Sequence, residues 1–192
     1  GVAAWPLLKA RGNVVEQIEP PNASGERRVT RTWYDAVNRV FSTTVNFTTT
    51  LNADPKTYNL TTWYEYDPAG NQTAITDTAK QVTRNYYDGV GRLISTTVNY
   101  SPTLGVNALN QFNLTTRYEY DAVGNRVAIT DPVTLTTRYA FDALNRMVVM
   151  TQNFTITNGL DPNLYNLATR YRYDAIGNRL AVTDALTHTT VY

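Results

Sequence analysis

The chain has 192 residues, with 17 basic and 16 acidic side chains and a formal net charge of +1. This balance gives no electrostatic reason to expect nucleic acid or an anionic membrane as a partner. The absence of cysteine excludes disulfides and thiolate metal sites. No stretch approaches 18 consecutive apolar residues, so we expect no membrane insertion. Abundant Thr, Tyr and Asn favour strands and turns over helices.

In chain order, residues 1–31 are predicted to form a degenerate partial repeat. Asn13 is followed six residues later by Glu19, as Asn71 is followed at the same distance by Asp77. The chain does not begin with Met, and no signal peptide is recognisable. We interpret it as a processed product or as a segment of something longer.

Three pairs of hairpins are predicted after this start, at 32–84, 85–138 and 139–192, and the last pair ends in an unpaired strand. The prediction depends on six Tyr-Asp or Phe-Asp dipeptides spaced by 32, 21, 33, 21 and 32 residues, which gives a two-hairpin unit of 53 or 54 residues. The dipeptides are Tyr34-Asp35, Tyr66-Asp67, Tyr87-Asp88, Tyr120-Asp121, Phe141-Asp142 and Tyr173-Asp174.

Each dipeptide opens a segment with the residues of one turn type. The third residue after the Asp is always Gly or Asn, which most readily take a positive φ, and an Asp that opens a turn can cap the backbone two residues on. The pattern predicts a type I turn closed by a left-handed residue. The twelve predicted turn residues are Asp35 and Asn38, Asp67 and Gly70, Asp88 and Gly91, Asp121 and Gly124, Asp142 and Asn145, and Asp174 and Gly177.

The segments that flank the turns alternate as strands do. Tyr118 and Tyr120 are expected to share one face of their strand, and Val127 and Ile129 to share one face of theirs. No segment has a sustained 3.6-residue period. We therefore predict an all-β fold with almost no helix, in which tandem hairpin repeats stack into a β-solenoid or a spiralling sheet.

This pattern resembles the YD repeats of the Rhs family, which includes bacterial Rhs proteins, the cocoon subunits of toxin complexes and teneurins. The resemblance depends on Tyr-Glu-Tyr-Asp-Ala-Val-Gly-Asn-Arg at 118–126, Tyr-Arg-Tyr-Asp-Ala-Ile-Gly-Asn-Arg at 171–179 and the four related copies. It covers roughly 30–190, and more weakly 1–29. It implies a spiralling β-sheet, often a large hollow shell around a toxin fragment. The family's shells have many more repeats, and their autoprotease motif has only a faint counterpart in Asp161-Pro162-Asn163-Leu164.

The Thr- and Asn-rich inserts carry Asn-x-Ser/Thr acceptors in register with the repeat. The glycosylation candidates are Asn46, Asn99, Asn153, Asn59, Asn113, Asn22 and Asn71. The third copy of the Asn59 position, Asn166, is followed by Leu167-Ala168 and has lost the acceptor. Two interpretations stay open. The matches arise from composition and repeat duplication, or they mark a glycan-coated surface.

The sequence offers no constellation for catalysis. The only histidine, His188, stands where the other copies have Gln81 and Leu135, which indicates a variable strand position. No catalytic residue, cofactor or metal ligand is predicted. Calcium is a weaker alternative for two sets of repeated aspartates, whose other interpretation is turn capping for the first set and strand-end turns for the second. Those aspartates are Asp67, Asp121 and Asp174, with Asp77, Asp131 and Asp184 ten residues on.

Five repeated arginines are expected to pair with these acids, to stack on tyrosines or to lie solvated at the rim. They are Arg39, Arg92, Arg126, Arg146 and Arg179.

The leading functional hypothesis is a non-enzymatic structural filament, extracellular or at the cell surface, that carries covalent glycans. Its partners would be copies of itself docked head to tail through the strand-like Thr189 to Tyr192. One alternative is a fragment of an Rhs-like hollow shell that encloses or delivers a toxin. The other is an adhesion or carbohydrate-binding module that uses exposed tyrosines.

Overall fold

The computed structural model describes residues 7–8, 13–23, 25–104, 111–157 and 159–192. These residues form strands and turns and contain no helix, so the predicted all-β fold of tandem hairpins is confirmed. In this part of the chain no helix is long and apolar enough to cross a membrane. The strands are β1 (Leu7–Leu8), β2 (Val14–Ile18), β3 (Val29–Tyr34), β4 (Val40–Val45), β5 (Leu60–Tyr66), β6 (Gln72–Thr76), β7 (Val82–Tyr87), β8 (Leu93–Val98), β9 (Leu114–Tyr120), β10 (Arg126–Thr130), β11 (Thr136–Phe141), β12 (Met147–Gln152), β13 (Leu167–Tyr173), β14 (Arg179–Thr183) and β15 (Thr189–Val191).

The chain divides into two compact units. Unit 1 comprises Gly1–Asn85 and Val98–Asn113, and unit 2 comprises Tyr86–Thr97 and Leu114–Tyr192. Within unit 1, β1 to β6 and the start of β7 pair antiparallel in chain order, as β9 to β15 do within unit 2. In the described part of each unit, a strand contacts only the strands before and after it. Each unit is therefore a single layer of sheet.

Register assigns the side chains to two faces, because residues directly opposite each other on paired strands lie on the same face. One face, here called the tyrosine face, carries the two tyrosines of each Tyr-x-Tyr-Asp motif. The first of the two lies opposite an aliphatic residue, as Tyr118 does opposite Ile129. The equivalent pairs are Tyr64 with Ile75 and Tyr171 with Val182. These tyrosines are half-buried, so the face is stabilised by cross-strand pairs within the sheet.

The other face, here called the alanine face, holds the buried apolar residues. Ala74, Ala128 and Ala181 are 0%, 1% and 5% exposed. Each lies between longer side chains on the neighbouring strands, as Ala74 does between Glu65 and Arg84. A small side chain is buried there by its neighbours rather than by a second layer of sheet.

A β-bulge follows each tyrosine–aspartate turn whose register is described. In the last hairpin, Arg172 pairs with Ala181 but Tyr173 pairs with Arg179, so Leu180 has no opposite residue. The other skipped residues are Phe41, Thr73, Val127 and Val148. The predicted alternation therefore holds for Ile129 but is interrupted by the bulge at Val127. Such bulges increase the local right-handed twist of the strand pair.

The connections alternate between two edges of each unit. At the tyrosine edge lie the turns 35–39 and 67–71 of unit 1, and 88–92, 121–125, 142–146 and 174–178 of unit 2. At the insert edge lie the short turns 77–81, 131–135 and 184–188 and the long inserts 46–59, 99–113 and 153–166. Residues 105–110 of the second insert are outside the described part of the chain.

Candidate functional site: the tyrosine–aspartate turns

The turn that Asp121 opens is closed by backbone and carboxylate together. The Gly124 N–H donates to the Asp121 carbonyl (3.3 Å), and the Asp121 N–H donates to the Asn125 carbonyl (3.0 Å). Asp121 Oδ1 accepts from the N–H groups of Val123 (3.1 Å) and Asn125 (2.8 Å). Gly124 has φ of 99°. This is a type I turn followed by a left-handed residue.

The same left-handed position recurs in all six turns. The φ values there are 69° at Asn38, 95° at Gly70, 82° at Gly91, 99° at Gly124, 59° at Asn145 and 98° at Gly177. The aspartates that open these turns are those singled out in the sequence: Asp35, Asp67, Asp88, Asp121, Asp142 and Asp174.

The fifth residue of the turn distinguishes the two hairpins of a pair. In the second hairpin it is an asparagine whose Nδ2 donates to the turn aspartate, as Asn178 does to Asp174 Oδ2 (2.8 Å). In the first hairpin it is an arginine whose Nε donates to the same oxygen, as Arg146 does to Asp142 (2.7 Å). Both arrangements occupy the second carboxylate oxygen within the turn. The other asparagines are Asn71 and Asn125, and the other arginines are Arg39 and Arg92.

The arginine also connects the two turns of a pair. Arg146 Nη1 donates to the Asp174 carbonyl (2.7 Å), and its guanidinium lies 5.0 Å from the centre of the Tyr173 ring. The Tyr173 hydroxyl donates to the Met147 carbonyl (2.9 Å), next to the arginine. We call this four-residue arrangement the arginine node. The node explains why the second Tyr-Asp dipeptide of each pair has a tyrosine, because the arginine stacks on that ring.

Two further nodes have the same contacts. Arg39 donates to the Asp67 carbonyl (3.0 Å) and stacks on Tyr66 at 4.8 Å. Arg92 donates to the Asp121 carbonyl (3.1 Å) and stacks on Tyr120 at 4.9 Å. The remaining two repeated arginines, Arg126 and Arg179, stack on Tyr118 and Tyr192 at 5.4 Å and 4.6 Å.

An asparagine pair connects one hairpin pair to the next. Asn125 Nδ2 donates to Asn145 Oδ1 (3.0 Å). At the start of the chain, Asn13 Nδ2 makes the same bond to Asn38 Oδ1 (2.9 Å). Asn13 therefore occupies the place of the second-hairpin asparagine.

The turn carboxyls have lowered pKa values. At Asp142, the hydrogen bond from the Arg146 backbone N–H is the largest cause, and with the guanidinium it outweighs partial desolvation, so the pKa lies below the usual 3.8. At Asp121, desolvation raises the pKa, but the Asn125 side-chain amide and backbone N–H together outweigh it. The same net lowering holds for Asp35, Asp67, Asp88 and Asp174.

The proposed calcium pairs are separated by a strand. Asp121 and Asp131 stand at opposite ends of β10, and five strand residues span roughly 17 Å. The same separation applies to Asp67 with Asp77 and to Asp174 with Asp184. The described residues contain no group of three or more side chains placed to hold a metal ion.

The Asn-aromatic-Thr motif at the insert edge is part of the backbone connection. Asn153 has φ of 49°, and its Nδ2 donates to the Leu164 carbonyl (2.8 Å). The next residue, Phe154, donates its N–H to the Thr136 carbonyl (2.7 Å), and Arg138 stacks on its ring at 4.4 Å.

A second asparagine completes each insert. The Thr155 N–H donates to Asn166 Oδ1 (2.9 Å), and the Asn166 N–H donates to the Asn153 carbonyl (3.1 Å). Asn46 with Asn59 and Asn99 with Asn113 repeat these two bonds. Asn166 keeps the geometry, with φ of 54°, although it has no acceptor hydroxyl two residues on. The register of these asparagines therefore has a structural reason that requires no sugar.

The remaining sequence candidates also lie in turns. Asn22 exchanges hydrogen bonds with Glu26, and residue 24 of its acceptor motif is outside the described residues. His188 Nδ1 lies 3.0 Å from Asp184 Oδ2, with 77% of its side chain exposed. Asp161 Oδ1 accepts from the Asn163 N–H (2.9 Å), so the Asp-Pro segment is a capped turn.

The sequence predicted strand-end turns at the second set of aspartates, but not the type of turn. In the turn that Asp131 opens, the Thr134 N–H donates to the Asp131 carbonyl (3.0 Å) and φ of Thr134 is 71°. Lys80 and Thr187 occupy the equivalent position with φ of 65° and 69°. The backbone is that of the tyrosine-edge turns. The signal available in the sequence was the aspartate ten residues after each second-hairpin aspartate.

Comparison with known proteins gives a family match and a fold match. The RHS Repeat family model matches residues 66–100 and 120–154. The crystal structure of TcdB2-TccC3-TEV is similar with a TM-score of 0.64 and 19% identity, over 90% of this chain and 8% of that chain. The crystal structure of TcdB2-TccC3 without the hypervariable C-terminal region gives 0.64 and 17%, with the same coverage. The structure of the Photorhabdus luminescens Tc holotoxin pore gives 0.62 and 18%, again over 90% and 8%.

These identities show a shared fold, and the chain spans about 8% of the length of the structures it matches. No curated protein sequence matches the chain significantly.

Proposed function

We propose that the chain, whose residues 66–100 and 120–154 match the RHS Repeat family model, is a structural, non-catalytic length of wall in a larger RHS-type shell that encloses another polypeptide. The observation that carries the proposal is the single layer of sheet in each unit, whose tyrosine face no other described strand of that unit covers. A wall requires two open faces, whereas a compact enzyme buries its sheet against a second layer.

The arginine nodes support a role as an extendable scaffold. Each node joins two consecutive hairpins through a carbonyl hydrogen bond and a stacked ring, while the ion pair of its arginine stays within the first turn. Contacts of this kind are local, so the stability of such an array is close to a sum over neighbouring repeats, and its length can increase without a new core. The repeated aspartates serve this purpose, since their carboxylates are occupied inside the turns.

Similarity to a short stretch of very long chains supports the shell better than the head-to-tail filament. Two of the similar structures are of TcdB2-TccC3, and a third is of a Tc holotoxin pore. We infer for this chain an extracellular or cell-surface location. Glycans on the insert asparagines and contacts between copies stay predictions, because the hydrogen bonds of the inserts explain the asparagines without either.

Cryo-electron microscopy of the full-length protein purified from its source tests the proposal. We expect discrete hollow particles in which these repeats form the wall and enclose density for a second polypeptide. Ordered filaments built from the same repeat would overturn the shell and favour the filament. Intact-mass measurement of the same sample tests the glycans separately.

A further inference from the structure

The alanine face of unit 2 carries arginines that form no ion pair with any residue the structure describes. The described strands of unit 2 contain six arginines and only one acidic residue, Glu119. Register places four of the arginines on the alanine face: Arg117 opposite Thr130, Arg138 opposite Ala128, Arg170 opposite Thr183 and Arg172 opposite Ala181. The other two, Arg126 and Arg179, lie on the tyrosine face, opposite Tyr120 and Tyr173.

The four guanidinium groups are accessible. All four residues are exposed, and none forms an ion pair within the described part of the chain. Arg138 stacks on Phe154, which orients the group but leaves its N–H donors available. Exposed arginines with unused donors are suited to bidentate contacts with carboxylates.

In unit 2 the one acidic residue that the described strands place on the alanine face is Glu119, opposite Ala128, and the aspartates lie in turns. These turn aspartates accept N–H groups from their own turns at the two edges, as Asp131 does from Val133 and Leu135. The positive charge of the strands is therefore concentrated in the middle of the face. The near-neutral total of the chain conceals this separation.

On the alanine face of unit 1, the arginines form ion pairs with glutamates. Arg31 pairs there with Glu16, and Arg84 with Glu65 at 3.9 Å. In unit 2 the place of Glu65 is taken by Glu119 and then by Arg172, and the place of Trp63 by Arg117 and then by Arg170. The excess of positive charge is thus specific to unit 2.

We propose that the alanine face of unit 2 binds an acidic polypeptide segment, with Arg117, Arg138, Arg170 and Arg172 as the contacts. These arginines lie on alternate strands, β9, β11 and β13, and the register displaces each by two residues along the strand from the one before, so they recur on a diagonal at roughly 12 Å. An acidic segment is extended by self-repulsion and can follow this diagonal.

The geometry favours an acidic peptide over nucleic acid. A duplex carries a charge about every 1.7 Å and requires a broad basic surface. Here the basic region is bounded at both edges by ionised turn aspartates, which repel a polyanion wider than the strands are long. The proposal does not depend on whether the chain forms part of a shell.

The test is binding of a fluorescent oligoglutamate to the chain at low ionic strength, beside an oligolysine and a single-stranded oligonucleotide of matched charge. We expect oligoglutamate to bind best and its affinity to fall with salt. The double variant Arg170→Gln with Arg172→Gln should lower the affinity about tenfold. The matched control, Arg126→Gln with Arg179→Gln, removes the same charge from the tyrosine face and should change it less than about twofold.

Equal losses in both variants would show attraction by net charge alone and would overturn the proposed surface, and so would the absence of oligoglutamate binding. Tighter binding of the oligonucleotide would replace the peptide with nucleic acid. A measurement on the unmodified chain avoids any failure of the variants to fold. Phenylglyoxal modifies free guanidinium groups, so oligoglutamate should protect Arg117, Arg138, Arg170 and Arg172 but leave Arg126 and Arg179 reactive.

Discussion

The turns at the tyrosine edge and the short turns at the insert edge have the same backbone but different residues at its left-handed position. The tyrosine edge has Gly or Asn there, whereas the insert edge has Lys80, Thr134 and Thr187. A β-branched residue disfavours positive φ, so the conformation at Thr134 is imposed by the turn rather than chosen by the residue. Capping by the aspartate is common to both sets, which indicates that the aspartate defines the turn.

The two sets of turns also differ in the contacts that the fifth residue of the turn makes. At the tyrosine edge the fifth residue is an Arg or Asn that occupies the second carboxylate oxygen. At the insert edge the fifth residue is Gln81, Leu135 or His188. The aspartates there accept backbone N–H groups, and in the last turn His188 Nδ1 also lies 3.0 Å from the second oxygen of Asp184. We therefore expect the tyrosine edge to carry more of the stability of the array.

Acid should lower the stability of the array more than any substitution, because it protonates all six tyrosine-edge carboxyls at once. Their pKa values are lowered in the folded chain below the usual 3.8. Their contribution to stability is therefore fully present above about pH 4 and is lost as the pH falls through the folded pKa values. Denaturation midpoints measured as a function of pH should decline below pH 4. In an Asp142→Asn variant the decline should be shallower, and an identical decline would contradict the assignment.

The substitution Arg146→Ala should have the largest effect of any single change considered. It removes the hydrogen bond to the Asp174 carbonyl and the stacking on Tyr173, and we expect a loss of about 2 kcal/mol in the free energy of unfolding. Gln81→Ala changes the fifth residue of an insert-edge turn and should cost less than about 0.5 kcal/mol. Urea denaturation measures both. Similar losses would mean that the two edges do not differ.

The substitution Gly124→Thr gives the tyrosine edge the residue type of the insert edge. Gly124 has φ of 99°, and an added Cβ would meet no heavy atom within 4 Å, so the expected cost is that of positive φ in a β-branched residue. We expect a loss of about 1 to 2 kcal/mol, measured by urea denaturation. Gly89, which has no positive φ and the same open space, is the control, and Gly89→Ala should be neutral or stabilising.

The reverse exchange, Thr134→Asn, should have the smallest effect and the opposite sign. Asn adopts positive φ more readily than Thr and avoids the entropy that Gly would add to the unfolded chain. We expect a gain of about 0.5 kcal/mol. Thermal melting would detect it, with Thr137→Asn, a strand position without positive φ, as the control that should lower the melting temperature.

Much of the fold could be predicted because six copies of the repeat can be compared with one another. Six copies of one turn pattern define hairpins, and the Gly or Asn three residues after each Asp identifies the position of positive φ. The bulges at residues such as Phe41 and Val127 could not be predicted, since nothing in a period-two pattern marks a skipped residue.

The site was harder to predict than the fold. The arginine node joins residues 28 positions apart, Arg146 and Asp174, and its three interactions converge on one side chain. Composition indicates that arginine pairs with acid or stacks on tyrosine, but only the register of β12 and β13 shows that it does both. The inserts' asparagines stay glycosylation candidates, but their bonds to carbonyls 11 residues on could not be predicted, because such bonds leave no trace in the sequence.

The alanine face combines a constant position, the buried alanine, with a position whose residue changes from repeat to repeat. Ala74, Ala128 and Ala181 hold the middle of the face at the same place in each repeat, while the residue two positions before the neighbouring Glu65, Glu119 or Arg172 is Trp63, Arg117 or Arg170. The frame therefore tolerates an indole or a guanidinium at the same coordinate. A lineage of such repeats can acquire a new partner by point substitutions on one face, with no insertion, no new loop and no repacking of the turns.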